Sequence, residues 1–111
     1  MNTLNAHPAF SAWLEALADV IGKAHVLNRL NRARAGNFGD VAPVGDGVSE
    51  MRIHYGPGYR IYFTRVGGVV YLLLAGGDKS TQAEDIRLAK SRVPSKPRSP
   101  TRDGAKRTKG K

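Results

Sequence analysis

The chain has 111 residues and is 41% hydrophobic, enough for one domain with a small core and too short for two. It has no cysteine, which excludes a disulfide framework and a Cys-based metal site. The net charge of +9 points to a polyanionic partner, but it is unevenly placed: residues 94–111 carry seven Lys or Arg against one acid (+6), and residues 1–93 carry eleven against eight (+3).

Residues 1–7 form a poor strand, with two Asn and one large aliphatic, Leu4. They also lack the basic region and apolar stretch of a signal peptide. Pro8 to Leu17 reads as a helix. Phe10, Trp13, Leu14 and Leu17 recur at i, i+3, i+4 and i+7, and Pro8 suits a first turn. A second helix runs from about Val20 to Ala35. Val20, Ala24, Leu27 and Leu30 form its inner face, Lys23, Arg29, Arg32 and Arg34 stay wet, and Gly36 ends it. The two helices make a hairpin whose apolar side needs a sheet to cover it. Asn37 to Gly47 reads as a structural loop anchored by Phe38, Val41 and Val44. Its Gly-Asp-Gly lacks the lysine of a phosphate-binding P-loop.

The stretch from Val48 to Tyr62 is the most informative. Met51, Ile53 and Tyr55 alternate with Arg52 and His54, then Gly56-Pro57-Gly58 reverses the chain, and Ile61 and Phe63 alternate with Arg60 and Tyr62. Antiparallel pairing puts the apolar residues on one face and Arg52, His54, Arg60 and Tyr62 on the other. That polar face suits RNA. Guanidinium groups neutralise phosphate, imidazole moves protons near neutral pH, and a phenol hydrogen-bonds or stacks on a base. Read without a ligand, it is a solvated sheet face.

Gly67-Gly68 marks a second hairpin turn. Val69 to Ala75, the longest apolar run, reads as a central strand and is far short of the roughly 20 residues that span a bilayer. This predicts a three-stranded antiparallel sheet, or four strands with an N-terminal one. Thr81 and Glu84 fit a capping box for a last helix ending near Arg92, and Lys79 stands beside that helix's anion-favouring N-terminus. From Pro94 the chain is Pro, Ser, Gly and basic residues with nothing to bury, so residues 94–111 read as a disordered basic tail after a domain spanning 1–93.

The run S-E-M-R-I-H-Y-G-P-G-Y-R-I-Y-F, with A-G-N-F-G-D-V-A-P-V-G before it and L-L-A-G-G-D-K-S-T-Q after it, resembles the RelE/ParE superfamily of bacterial type II toxins, and within it the HigB-like branch of addiction module killer proteins. The resemblance covers about residues 10–93. It implies an α+β fold: a two-helix hairpin on a curved three- to four-stranded antiparallel sheet, with a C-terminal helix. It implies a cytoplasmic toxin that cuts mRNA in the ribosomal A site and is neutralised by a helix-turn-helix antitoxin. Such chemistry uses the RNA's own 2′-hydroxyl and needs no metal or cofactor. Carried over residue by residue, Arg60 stabilises the scissile phosphate, Arg52 is the basic residue of the preceding strand, and Lys79 is the one after the last strand. Tyr62 lies on the RNA-binding face. The family's C-terminal tyrosine has no counterpart, since no tyrosine follows Tyr71, and His54 takes its place as general acid or base. The same resemblance admits a ParE-like inhibitor of DNA gyrase, or a nucleic-acid-binding protein without catalysis.

Overall fold

The computed structural model describes residues 1–95. Residues 96–111, and with them nearly all of the tail read as disordered, lie outside the described residues. The elements are β1 (Thr3–Ala6), α1 (Pro8–Ala16), α2 (Val20–Arg34), β2 (Val41–Gly45), β3 (Val48–Ile53), β4 (Tyr59–Gly67), β5 (Val70–Asp78), a 3₁₀ turn (Lys79–Thr81) and α3 (Gln82–Ser91). No helix among the described residues is long and apolar enough to cross a membrane.

The sheet has five strands in the order β1-β5-β4-β3-β2, more than the three or four expected. It is also mixed, because β1 pairs parallel with β5. Residues 3–6 form a strand despite their composition because a sheet edge asks mainly for backbone hydrogen bonds, and only Leu4 packs on the core. The expected loop over Asn37–Gly47 contains β2, paired antiparallel with β3. Asp46 and Gly47 form its two-residue hairpin turn, both at positive φ (55° and 77°), the geometry that Asp-Gly favours. Pro43 is tolerated because β2 is an edge strand.

Helices α1 and α2 cover one face of the sheet. Phe10, Val26, Leu30 and Ala33 pack there on Met51, Ile53, Tyr59, Ile61, Phe63 and Leu73. Trp13 lies so close over β5 that a Cβ on Gly76 would come within 2.2 Å of its ring. The inner stripe of α2 differs from the expected one. Gly22, Val26, Arg29, Leu30 and Ala33 are buried, while Val20 and Leu27 are exposed. Asp19 sets this rotation. Its carboxylate caps α2 through the Gly22 amide (2.9 Å) and accepts from the Tyr59 hydroxyl (2.7 Å), tying the helix start to β4. That acceptance pushes the Tyr59 phenol up to about 12.

The other face is not open. Helix α3 lies across it, with Ala89 and Ile86 on Val48, Tyr62, Leu74 and Ala75. A register shift between Tyr62↔Ala75 and Phe63↔Leu73 leaves Leu74 as the extra residue of a bulge in β5. The start of α3 also departs from the expected capping box. Asp78 caps the 3₁₀ turn through the Ser80 amide (2.8 Å), Thr81 donates to Asp85 (2.5 Å), and Glu84 pairs with Arg87.

Candidate active site

Glycines 56 and 58 take φ values of 55° and 81° and turn the chain between β3 and β4 as expected. The turn walls a cleft of about 210 Å³ lined by His54, Tyr55, Gly56, Pro57, Gly58, Arg60 and Lys79. The fold thus gathers three residues singled out in sequence, His54, Arg60 and Lys79, around one opening.

Arg60 is the unusual member. It is the second residue of β4, opposite Arg52 on β3 and Gly77 on β5, and only 6% exposed. Glu50, 3% exposed, lies on the same face, its Oε2 3.9 Å from Arg60 Nε. Glu50 is held in turn by Gln82 Nε2 at the start of α3 (2.8 Å). Arg60 Nε has no hydrogen-bond partner among the described residues, and Nη1 reaches only the Tyr59 carbonyl at 3.5 Å. On the cleft side, Nη1 lies 3.8 Å from where a Cβ on Gly58 would stand. A guanidinium with loosely engaged donors, edging a cleft, has donors that can meet an anion. Lys79 is exposed, its aliphatic stem packs beside Gly58, and it lines the same cleft.

Arg52 stands outside the cleft. Its Nη2 donates to Asp40 Oδ1 (2.9 Å), and Asp40 Oδ2 lies 2.6 Å from His54 Nε2. Asp40 therefore bridges two of the expected residues. The Arg52 and then the His54 hydrogen bond hold its carboxyl down at about 2, and the same contact holds the Arg52 guanidinium above its ordinary value. Asp40 is fixed from behind by Arg29, which was expected in solvent and is instead 9% exposed. Its guanidinium donates to the carbonyls of Arg52 (2.5 Å), Phe38 (2.7 Å) and Asp40 (3.2 Å). Gly39 makes room for it: φ is +72°, and a Cβ there would stand 2.9 Å from Arg29 Nη2.

Tyr62 does not belong to an RNA-facing surface. It is fully buried beneath α3, out of reach of a stacking base. Burial, and then the nearby Glu50 charge, push its phenol well above the usual range. The period-2 reading put Tyr62 on the right face but could not show that a helix covers that face. Glu50 was legible in principle, two residues before Arg52 on the same face of β3, whereas nothing local marks Asp40, Arg29 or Gln82. Tyr55, assigned in sequence to the apolar face, is half-buried, lines the cleft and stacks on His25 at 4.4 Å.

No family model matches the sequence. An uncharacterised protein of Haemophilus influenzae is 48% identical over 81 residues, covering 73% of this chain and 82% of that protein. The chain belongs to the family of that protein. Among solved structures, a mutant of the Escherichia coli toxin RelE in the free state superposes with a TM-score of 0.65 at 13% identity, over 84% of this chain and 98% of that one. At that identity the likeness concerns the fold, and this chain has a RelE-like fold.

Proposed function

We propose that the protein is the toxin of a type II toxin–antitoxin system of the HigB-like kind, acting in the cytoplasm as a ribosome-dependent endoribonuclease on mRNA. The observation that carries this is Arg60: a nearly buried guanidinium with unengaged donor capacity, set at a cleft that His54 and Lys79 also line, on a RelE fold. In this reading the ribose 2′-oxygen attacks the adjacent phosphorus and the 5′-oxygen leaves. Arg60 stabilises the charge that builds on the phosphorane, in a site where water is partly excluded. Lys79 neutralises the phosphate from the rim, Arg52 supplies a second guanidinium on this face, and His54 handles the proton. The need for a 2′-hydroxyl makes RNA the substrate. A helix-turn-helix antitoxin is the proposed protein partner.

Primer extension on message in a reconstituted translation reaction tests this. Ribosome-dependent cuts at A-site codons should appear with the wild type and fade with Arg60→Lys, which keeps the charge beside Glu50 but loses the planar fork. Intact message with the wild type refutes the ribonuclease reading. A gyrase supercoiling assay would then test the ParE-like alternative.

A further inference from the structure

Asp40 has no part in the chemistry proposed above, yet it is placed with unusual care for an exposed carboxylate. Its own carbonyl accepts from Arg29 Nη2 (3.2 Å) and from the Arg52 amide (2.9 Å). Both its carboxylate oxygens are engaged, one by Arg52 and one by His54 Nε2. The preceding Gly39 has a backbone that L side chains rarely adopt. As a surface ion pair, Asp40–His54 contributes little stability, its side chains being 40% and 71% exposed. As a means of orienting an imidazole at the edge of a cleft, it needs to contribute none.

Asp40 is ionised at neutral pH, and an ionised carboxylate only accepts. The proton between the two residues therefore sits on His54 Nε2. A neutral imidazole carries one ring proton, which leaves Nδ1 as its basic atom. We infer that Asp40 is the positioning residue of His54: it holds the ring through Nε2–H and leaves Nδ1 to take the proton of an RNA 2′-hydroxyl. This rests on the ribonuclease reading and adds to it a fixed tautomer.

The step balances as follows. The 2′-oxygen forms its bond to phosphorus as its proton passes to Nδ1. The P–O5′ bond breaks with its electron pair going to the 5′-oxygen, which takes a proton from water. The resulting hydroxide recovers the proton from His54. The products are a 2′,3′-cyclic phosphate and a 5′-hydroxyl. The other charged groups around the ring are Arg52, on the same carboxylate, and Arg60 and Lys79, on the same cleft.

Two measurements on the full chain test this. Long-range ¹H–¹⁵N correlation on histidine-labelled protein above pH 7 should show His54 held as the Nε2–H tautomer, with that preference reduced in Asp40→Asn. An Nδ1–H tautomer in the wild type, or identical tautomer populations in both proteins, overturns the inference whatever the cleavage assays give. In the reconstituted translation reaction, Asp40→Asn should slow cleavage by about 10- to 100-fold, a fraction of what a general base contributes. The same change should cost nothing further in a His54→Ala background. A loss that persists undiminished there assigns Asp40 to the fold alone and overturns the positioning role. A wild type that cuts no message removes the ribonuclease reading and the proton transfer with it, and the tautomer comparison still decides whether Asp40 orients the ring.

Discussion

Two nearly buried arginines serve opposite faces of this sheet, and they are used differently. Arg29 projects from α2 on the two-helix side and donates to three main-chain carbonyls at 2.5, 2.7 and 3.2 Å. Arg60 lies on the α3 side, with one carboxylate at 3.9 Å and one long contact to a carbonyl. Burial is almost equal, 9% and 6% exposed. Partner geometry is what separates them. A guanidinium locked onto backbone fixes the chain, whereas one held loosely at the edge of a cleft keeps donors for a ligand. Burial of a charged residue alone would not have told an arginine locked onto backbone from one with loosely engaged donors.

The sharpest way to break that comparison is to exchange the losses. Arg29→Met should lower the unfolding free energy by about 3 kcal/mol, because three charge-assisted hydrogen bonds to part-buried main-chain carbonyls are lost together. Urea denaturation measures this, and a change under 1 kcal/mol would mean the carbonyls find other donors. Arg60→Lys should do the reverse. It should cost about 1 kcal/mol of stability and slow mRNA cleavage by about 100- to 1,000-fold, the size seen when one transition-state donor is removed. Comparable losses of stability in the two variants would erase the distinction.

Gly39→Ala comes next in size. It forces a Cβ against Arg29 at positive φ, and should cost about 1–3 kcal/mol of stability, read as a lower melting temperature. In the Arg29→Met background most of the steric part should disappear.

Acid sharpens the comparison from the Asp40 side. The folded-state value of this carboxyl, about 2, lies below its ordinary 3.8. Its contribution to stability is therefore complete above about pH 4 and is lost as pH falls toward 2. Asp40→Asn should remove that contribution where it is complete, lowering stability slightly at neutral pH, and flatten the fall between about pH 4 and 2 in unfolding followed by circular dichroism. The smallest effect belongs to Lys79→Ala. An exposed lysine contributes little to folding, but losing one phosphate contact should reduce the salt dependence of single-stranded RNA binding by about 0.7 in log–log slope. Titrations at several salt concentrations would detect it, and an unchanged slope removes Lys79 from the interface.

Much of this molecule was legible along the chain because its signals are local. The apolar stripe of α1, the Gly56-Pro57-Gly58 reversal, the pairing of β3 with β4 and the placement of Arg60 all follow from spacing and turn chemistry within a few residues. The Asp46-Gly47 turn is also local, but the strand before it is short and contains proline, so its pattern in sequence is that of a loop. The burial of Arg29, the cover over Tyr62 and the parallel pairing of β1 with β5 depend on partners remote in sequence. Arg29 meets the carbonyl of a residue 23 positions away, and Gln82 reaches Glu50 across 32.

By itself, then, the sequence determined the three helices and the three central strands in order, the alternation that segregates apolar from polar side chains on the central hairpin, and the excess of positive charge. Those depend on backbone preference and on periods of two and 3.6 residues. Tertiary structure alone decided which polar residues meet solvent, which arginine is locked and which is left with donors to offer, and that Asp40 joins Arg52 to His54. Each of these is set by what another segment brings to within about 4 Å, a distance at which hydrogen bonding and charge act and which sequence spacing does not encode.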